Sequence, residues 1–159
     1  MSSRGFTLFE VAICLVIVGV LVAIAIPNFL PFIQRARGTE AQQTLAVALD
    51  AQEARHMELG TFADGWGELG LGIGQTDKYE YLALAPEPKK EAMLRAIPKD
   101  KKLTGYLAGI EVVTTKRDGQ QYKTVICKAN RPGIKAVLEA EVEFKKRRVI
   151  CGNRFKKVS

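Results

Sequence analysis

From Phe6 to Ile26 the chain reads FTLFEVAICLVIVGVLVAIAI, and only Thr7, Glu10 and Gly19 interrupt the apolar run. About 21 residues at about 1.5 Å each give about 31 Å of helix, the thickness of a bilayer's hydrocarbon core. From Asn28 to Leu59 a helical period replaces the continuous run. Ile33, Ala36, Leu45, Ala48 and Leu49 share a face, with Ala41 and Met57 near it. Arg35, Arg37, Glu40, Asp50, Glu53 and Arg55 lie mostly elsewhere. Gly60 suits a C-cap. The pattern predicts one helix from Phe6 to Leu59, about 80 Å long if unbroken. Pro27 and Pro31 each remove a backbone donor and crowd the preceding turn, so a kink or soft region is expected there, with Gly38 nearby. His56 reads as a partly exposed helix residue, not as a ligand or base.

Residues 60–78 form a Gly-rich connection in which Phe62, Trp66, Leu69, Leu71 and Ile73 are the anchors expected to pin the loop down. Gly65, Gly67 and Gly70 match G-x-G-x-x-G by letter. A dinucleotide site needs a strand before that motif and a helix after it, whereas here a helix precedes it. Tyr79 to Leu84 alternates like a strand, which Pro86 and Pro88 are expected to end. Residues 89–97, KKEAMLRAI, suggest a short helix closed by Pro98. Thr104 to Thr115 and Gln121 to Ala129 form a hairpin pattern around Asp118-Gly119. Asn130 to Gly133 is a turn. In 134–151, Ala140, Val142 and Phe144 alternate with Glu139, Glu141, Glu143 and Lys145, as in a half-buried strand. One long helix lying on an antiparallel sheet makes an α+β architecture.

Composition narrows the chemistry. The 159 residues hold one His and three Cys. That is too few for a three-His zinc site or a four-Cys one. Walker-type, nucleophile-elbow and EF-hand motifs are absent from the sequence. These absences point away from an enzyme, and neither a cofactor nor a metal is expected. The formal net charge is +7. Residues 101–159 alone carry about +10, from roughly 15 basic and 5 acidic side chains, so the basicity belongs to the C-terminal third. A solvated basic face explains this, and an anionic partner is the functional alternative.

Glu10 is the anomaly of the N-terminal run. A carboxylate in a membrane costs at least about 2.5 kcal/mol at the centre, less near the end. Arg4 is the nearby cation. If it remains on the cytoplasmic side, the C-terminal bulk lies outside. An ordinary secretory signal cut after Ala25 is one reading, but Glu10, the thin basic region and Pro27 count against it. A lipoprotein signal ending at Cys14 fails because Ile13 is too bulky and the apolar stretch lies on the wrong side. The string Arg-Gly-Phe-Thr-Leu-Phe-Glu at 4–10, followed by the apolar run and Pro27, closely resembles type IV prepilins and pseudopilins. The close resemblance covers about residues 4–62. Phe9 and Cys14 depart mildly from the usual pattern.

The resemblance implies a pilin fold and a division into a leader at 1–5, a transmembrane and assembly half-helix at 6–27, and a globular domain at 28–159. It implies cleavage after Gly5 by a prepilin peptidase and N-methylation of Phe6. It also implies an inner-membrane precursor later assembled into a surface fibre. Glu10 then takes the role of meeting the Phe6 amine of a neighbouring copy, and local melting near Pro27 and Pro31 would let the helix stretch in the fibre. The implied partners are other pilin subunits, a platform membrane protein and an assembly ATPase. A pseudopilin of type II secretion is an alternative. Residues 145–159 contain no Asp or Glu, which weakens a version with calcium ligands there. Cys127 and Cys151 can oxidise outside the cytoplasm, and many pilins staple this region in that way. Two free core thiols are the other reading. Lys145, Lys146, Arg147 and Arg148 are the candidate anion-binding residues. With Phe144, Phe155 and Tyr122 among the charges, a minor pilin specialised for DNA uptake is a further alternative, though no nucleic-acid fold accompanies them.

Overall fold

A computed structural model describes residues 7–72, 74–115, 119–134, 137, 142–145 and 148–158, of which 27–28, 30–31, 34–35, 142–145 and 148–149 are described by backbone alone. The chain forms two units, one ending at Ala36 and the other running from Arg37.

The first unit is the N-terminal part of α1 (Leu8–Leu59). Its residues from Leu8 to Ile26 are long and apolar enough to cross a membrane, and all of them are exposed. The helical backbone includes positions 27 and 31.

In the second unit α1 buries Ala41, Leu45, Ala48, Leu49, Gln52 and His56. Their spacing of three and four residues is one helical face. The helix ends where Gly60 adopts φ +69° and its N–H reaches the His56 carbonyl at 2.9 Å. A residue without a Cβ takes that left-handed geometry at little cost. Two expectations about the helix are corrected. Met57 is exposed and does not join the buried face. His56 is buried, and it is held on both ring nitrogens. Its Nε2 donates to the Lys89 carbonyl at 3.2 Å, and its Nδ1 lies 2.9 Å from the Tyr122 hydroxyl. A carbonyl can only accept, so Nε2 carries a proton.

The sheet contains β1 (Tyr79–Glu87), β2 (Glu91–Pro98), β3 (Tyr106–Thr115), β4 (Gly119–Ala129) and β7 (Phe155–Lys157), antiparallel and in that spatial order. The expected hairpin around Gly119 is β3–β4, and Asp118 lies outside the described residues. The expected helix over 89–97 is instead the strand β2, paired on both sides. Its Glu, Ala, Met, Leu and Arg favour helix, but burial on both faces decides the outcome. Ala92, Leu94 and Ala96 join the core that includes α1, and Met93 and Ile97 join a second core across the sheet. β1 also runs past Pro86 to Glu87, because its register slips between Leu84 and Glu87 and the missing proline N–H falls within that irregularity.

The first core gathers Leu45, Phe62, Trp66, Tyr79, Tyr81, Leu94 and Ile110. Small residues at Ala83, Ala92, Ala96 and Ala108 leave room for the helix to approach the sheet. The second core holds Leu107, Val125, Cys127, Val137 and Phe155. The C-terminal segment contributes a separate hairpin, β5 (Val142–Lys145) with β6 (Arg148–Cys151). Val137 packs onto Gly105 so closely that a Cβ there would collide with its Cγ2.

Candidate functional site

The N-terminal run brings its two polar residues together. Thr7 precedes α1, and its hydroxyl accepts from the Glu10 N–H at 3.3 Å. Glu10 reaches back through Oε2 to the Thr7 hydroxyl at 3.3 Å and the Thr7 N–H at 3.4 Å. This is a capping box, in which the first and fourth residues satisfy each other's orphan donors. Residue identity at 7 and 10 was legible as a Thr-x-x-Glu string before an apolar run, a signal the charge-based reading of Glu10 passed over. The second Glu10 oxygen has no hydrogen-bond partner among the described residues. Glu10 thus enters the helix already oriented by Thr7.

Gly5 and Phe6 lie outside the described residues, as do the side chains of Pro27 and Pro31. Cys14 is a free, exposed thiol within the apolar run.

Cys127 and Cys151 form a disulfide, with Cα atoms 5.6 Å apart and a sequence separation of 24. The bridge ties β4 to β6, and Cys127 is fully buried in the second core. On the chain-entropy account a loop of this size adds about 3 kcal/mol of stability.

The basic candidates are only partly in view. Lys146 and Arg147 lie outside the described residues, and so do the side chains of Lys145, Arg148 and Phe144. Two of the three aromatics that would accompany them are engaged elsewhere. Phe155 is buried in the second core, while Tyr122 packs edge-on to His56 and bonds to it. Exposed basic residues do meet on β4 and β7, where Lys128 stands directly opposite Lys156.

The Gly-rich connection is structural. Trp66–Leu69 forms one short 3-10 turn, closed by Gly70 at φ +67°, and Trp66 stacks on Tyr81 with ring centroids 5.1 Å apart. Phe62, Trp66 and Leu69 are buried as expected, and Ile73 lies outside the described residues. Gln52 clamps the connection from α1: its Nε2 donates to the Ala63 carbonyl at 3.0 Å and its Oε1 accepts the Ala63 N–H at 2.8 Å. Asp64 then accepts the Ala85 N–H at 2.7 Å, fastening the connection to β1. Among the described residues no group of three metal-ligating side chains is placed to hold an ion.

A family model described as "Type IV pilin-like G and H" matches residues 38–152, from the start of the second unit through the disulfide. The chain belongs to the type IV pilin-like family. A second model, the prokaryotic N-terminal methylation motif, matches residues 1–26. The fimbrial protein of Moraxella nonliquefaciens is 34% identical over 143 residues, covering 87% of this chain and 85% of that protein. The type IV major pilin protein PilA of Myxococcus xanthus is 38% identical over 79 residues, which is 50% of this chain and 36% of that protein. The type IV narrow pilus major component PilA5 of Thermus thermophilus is 43% identical over 51 residues, 32% of this chain and 44% of that protein. The match therefore spans less than half the length of these last two relatives. No solved structure matches the chain. The family is one of structural subunits, not of enzymes.

Proposed function

We infer that this chain is the precursor of a type IV pilus subunit, a structural protein without catalytic activity. The observation that carries the reading is the exposed apolar stretch Leu8–Ile26, opened by a capped carboxylate and coinciding with an N-terminal methylation motif. In this reading a prepilin peptidase cuts after Gly5 and Phe6 is methylated. The helix then holds the subunit in the inner membrane, with the second unit outside the cytoplasm. A platform protein and an assembly ATPase drive polymerisation with other pilin subunits.

The chemistry assigned to Glu10 follows from its surroundings. In lipid or in a packed helical core an ionised carboxylate costs several kcal/mol unless it gains a cationic partner. The Phe6 ammonium of a copy displaced along the axis is such a partner, and the low dielectric strengthens the pair. Thr7 fixes the carboxylate's direction in advance, so less freedom is lost on pairing. Alignment with a fimbrial protein over most of both chains favours a pilus over a secretion pseudopilus. Phe155 is buried and Tyr122 is engaged with His56, so these two aromatics do not support a stacking role on DNA.

Two measurements test the reading. Intact mass and N-terminal sequence of material from native membranes should give a chain beginning at methylated Phe6. A chain beginning at Ile26 would mean an ordinary secreted protein and would end the proposal. Glu10→Ala should be cleaved and methylated normally yet yield no ordered fibres. Normal fibres from that variant would refute the role given to the carboxylate.

A further inference from the structure

The second unit gathers cations at one end of its sheet. The register there runs from Tyr106 to Lys128 to Lys156. Gly38, near the point where α1 enters this unit, lies so close to Tyr106 that a Cβ would collide with its hydroxyl. The turns after β2 and β4 meet at the same end. The Gly133 N–H donates to the Leu103 carbonyl at 3.1 Å, and the Ala129 N–H to the Gly105 carbonyl at 3.0 Å. Lys99, Lys101, Lys102, Lys128, Arg131 and Lys156 are exposed there, against the exposed carboxylates Glu40, Asp77 and Asp100. Asp100 is turned to its own loop, where it accepts the Lys102 N–H at 2.9 Å. Lys128 stands directly opposite Lys156. Like charges in that placement destabilise a sheet, and an anion set against them relieves the repulsion.

The chain also arrives from the apolar span at this end. The span closes at Ile26 and the second unit opens at Arg37, so ten residues link them. That link reaches at most about 36 Å fully extended and about 15 Å as helix. Within it Phe29, Phe32 and Ile33 are exposed, and apolar side chains gain by resting at the headgroup boundary. Whatever direction the link takes, a bilayer holding the span keeps the entry end of the second unit within that reach. A tether this short gives a roughly millimolar local concentration, at which a weak contact suffices.

We propose that, while the subunit is stored in the membrane, this basic end docks on the phosphate groups of anionic phospholipids in the same bilayer. The inference rests on the membrane-held precursor of the fibre-subunit reading and adds a second, electrostatic contact to the span. An anionic bilayer suits this end better than a nucleic acid, because the link keeps the bilayer at hand. Moreover, Tyr79, Tyr106 and Phe155 of this end are buried, so none of these rings is offered to a base. Each Lys or Arg near an anionic surface strengthens such a contact roughly fivefold, over a range of about 10 Å at 0.1 M salt. Docking parks the second unit on the membrane before assembly and ends when extraction removes the lipid.

The test uses the full chain reconstituted in vesicles of phosphatidylcholine alone or with about one third phosphatidylglycerol. Amines are acylated with an impermeant reagent at about 0.1 M salt and mapped by peptide mass spectrometry. In the anionic vesicles Lys99, Lys101, Lys102 and Lys128 should react at least about threefold more slowly. Lys89, in the turn between β1 and β2 at the opposite end, should react equally in both. The protection should vanish at about 1 M salt, where the Debye length is about 3 Å. Lys101→Glu with Lys102→Glu should abolish it at Lys99 and Lys128, whereas Lys89→Glu should preserve it. Equal reactivity in the two vesicle types, protection that survives high salt, or equal protection of Lys89 would each overturn the proposal. Protection by duplex DNA added to phosphatidylcholine vesicles, with none from phosphatidylglycerol, would assign the end to nucleic acid instead. Alkaline extraction separates the two failures. A chain released from the vesicles sinks the membrane-held reading and the docking with it, whereas a retained chain with unprotected lysines sinks the docking alone.

Discussion

Gln52 and Gly38 show how single residues set the fit of α1 on its sheet. Gln52 occupies a fully buried helical position and satisfies both backbone groups of Ala63. Gln52→Leu keeps the volume but orphans a buried donor and a buried acceptor, at about 1–3 kcal/mol each. A loss of about 2–5 kcal/mol in urea unfolding is expected, and a change below about 1 kcal/mol would show that Ala63 finds other partners. Gly38 poses an opposite question of sign. Gly→Ala in a helix ordinarily stabilises by about 1 kcal/mol. Here the added Cβ meets the Tyr106 hydroxyl, whose ring is buried, so overpacking of about 1–3 kcal/mol should win. In a Tyr106→Phe background, which removes that hydroxyl, Gly38→Ala should become neutral or stabilising. Equal costs in both backgrounds would refute the clash. Neither role was legible in the sequence. The partner of Gln52 lies 11 residues away across a turn, and that of His56 lies 66 residues away on another strand. A helical period marks Gln52 and His56 as neighbours of the apolar face, but only the tertiary pairing explains why polar atoms are acceptable within it.

At the scale of elements, the strongly patterned pieces were legible and the interior strand β2 was not. The continuous apolar run, the capping glycine after Leu59 and the β3–β4 hairpin each carry a local signal. β2 does not. Its residues favour helix one by one, and its strand identity comes from neighbours on both sides. That placement brings Glu91 between Glu87 and Glu111. Partial burial raises the Glu91 carboxyl above its ordinary range, with the Glu87 and Glu111 carboxylates adding to the shift and Lys90 opposing it. A carboxyl raised in the folded state binds its proton more tightly there than in the unfolded chain. Its favourable contribution is complete below the ordinary carboxylate pKa and is lost as pH rises through the raised value. Glu91→Gln should therefore flatten the decline of stability with pH over that window and raise the unfolding midpoint at neutral pH. An unchanged pH profile would show that the row Glu87–Glu91–Glu111 carries no strain.

The whole molecule divides its tasks between two units. Every residue from Leu8 to Ile26 is exposed, whereas both hydrophobic cores and the disulfide lie from Arg37 onward. Burial of apolar area is the main source of folding stability. The second unit therefore holds nearly all of it, while the apolar surface of Leu8–Ile26 stays exposed. A chain beginning at Arg37 should be soluble, form the Cys127–Cys151 bridge and unfold within about 1 kcal/mol of the full chain in detergent, the allowance covering fraying of the shortened helix. In that shortened chain Gln52→Leu should cost as much as in the full chain. Glu10→Ala, made in the full chain, should leave the unfolding of the second unit unchanged. A shortened chain that aggregates or loses several kcal/mol would mean that the N-terminal helix supports the fold as well as the assembly. Glu10 could then no longer be assigned to assembly alone.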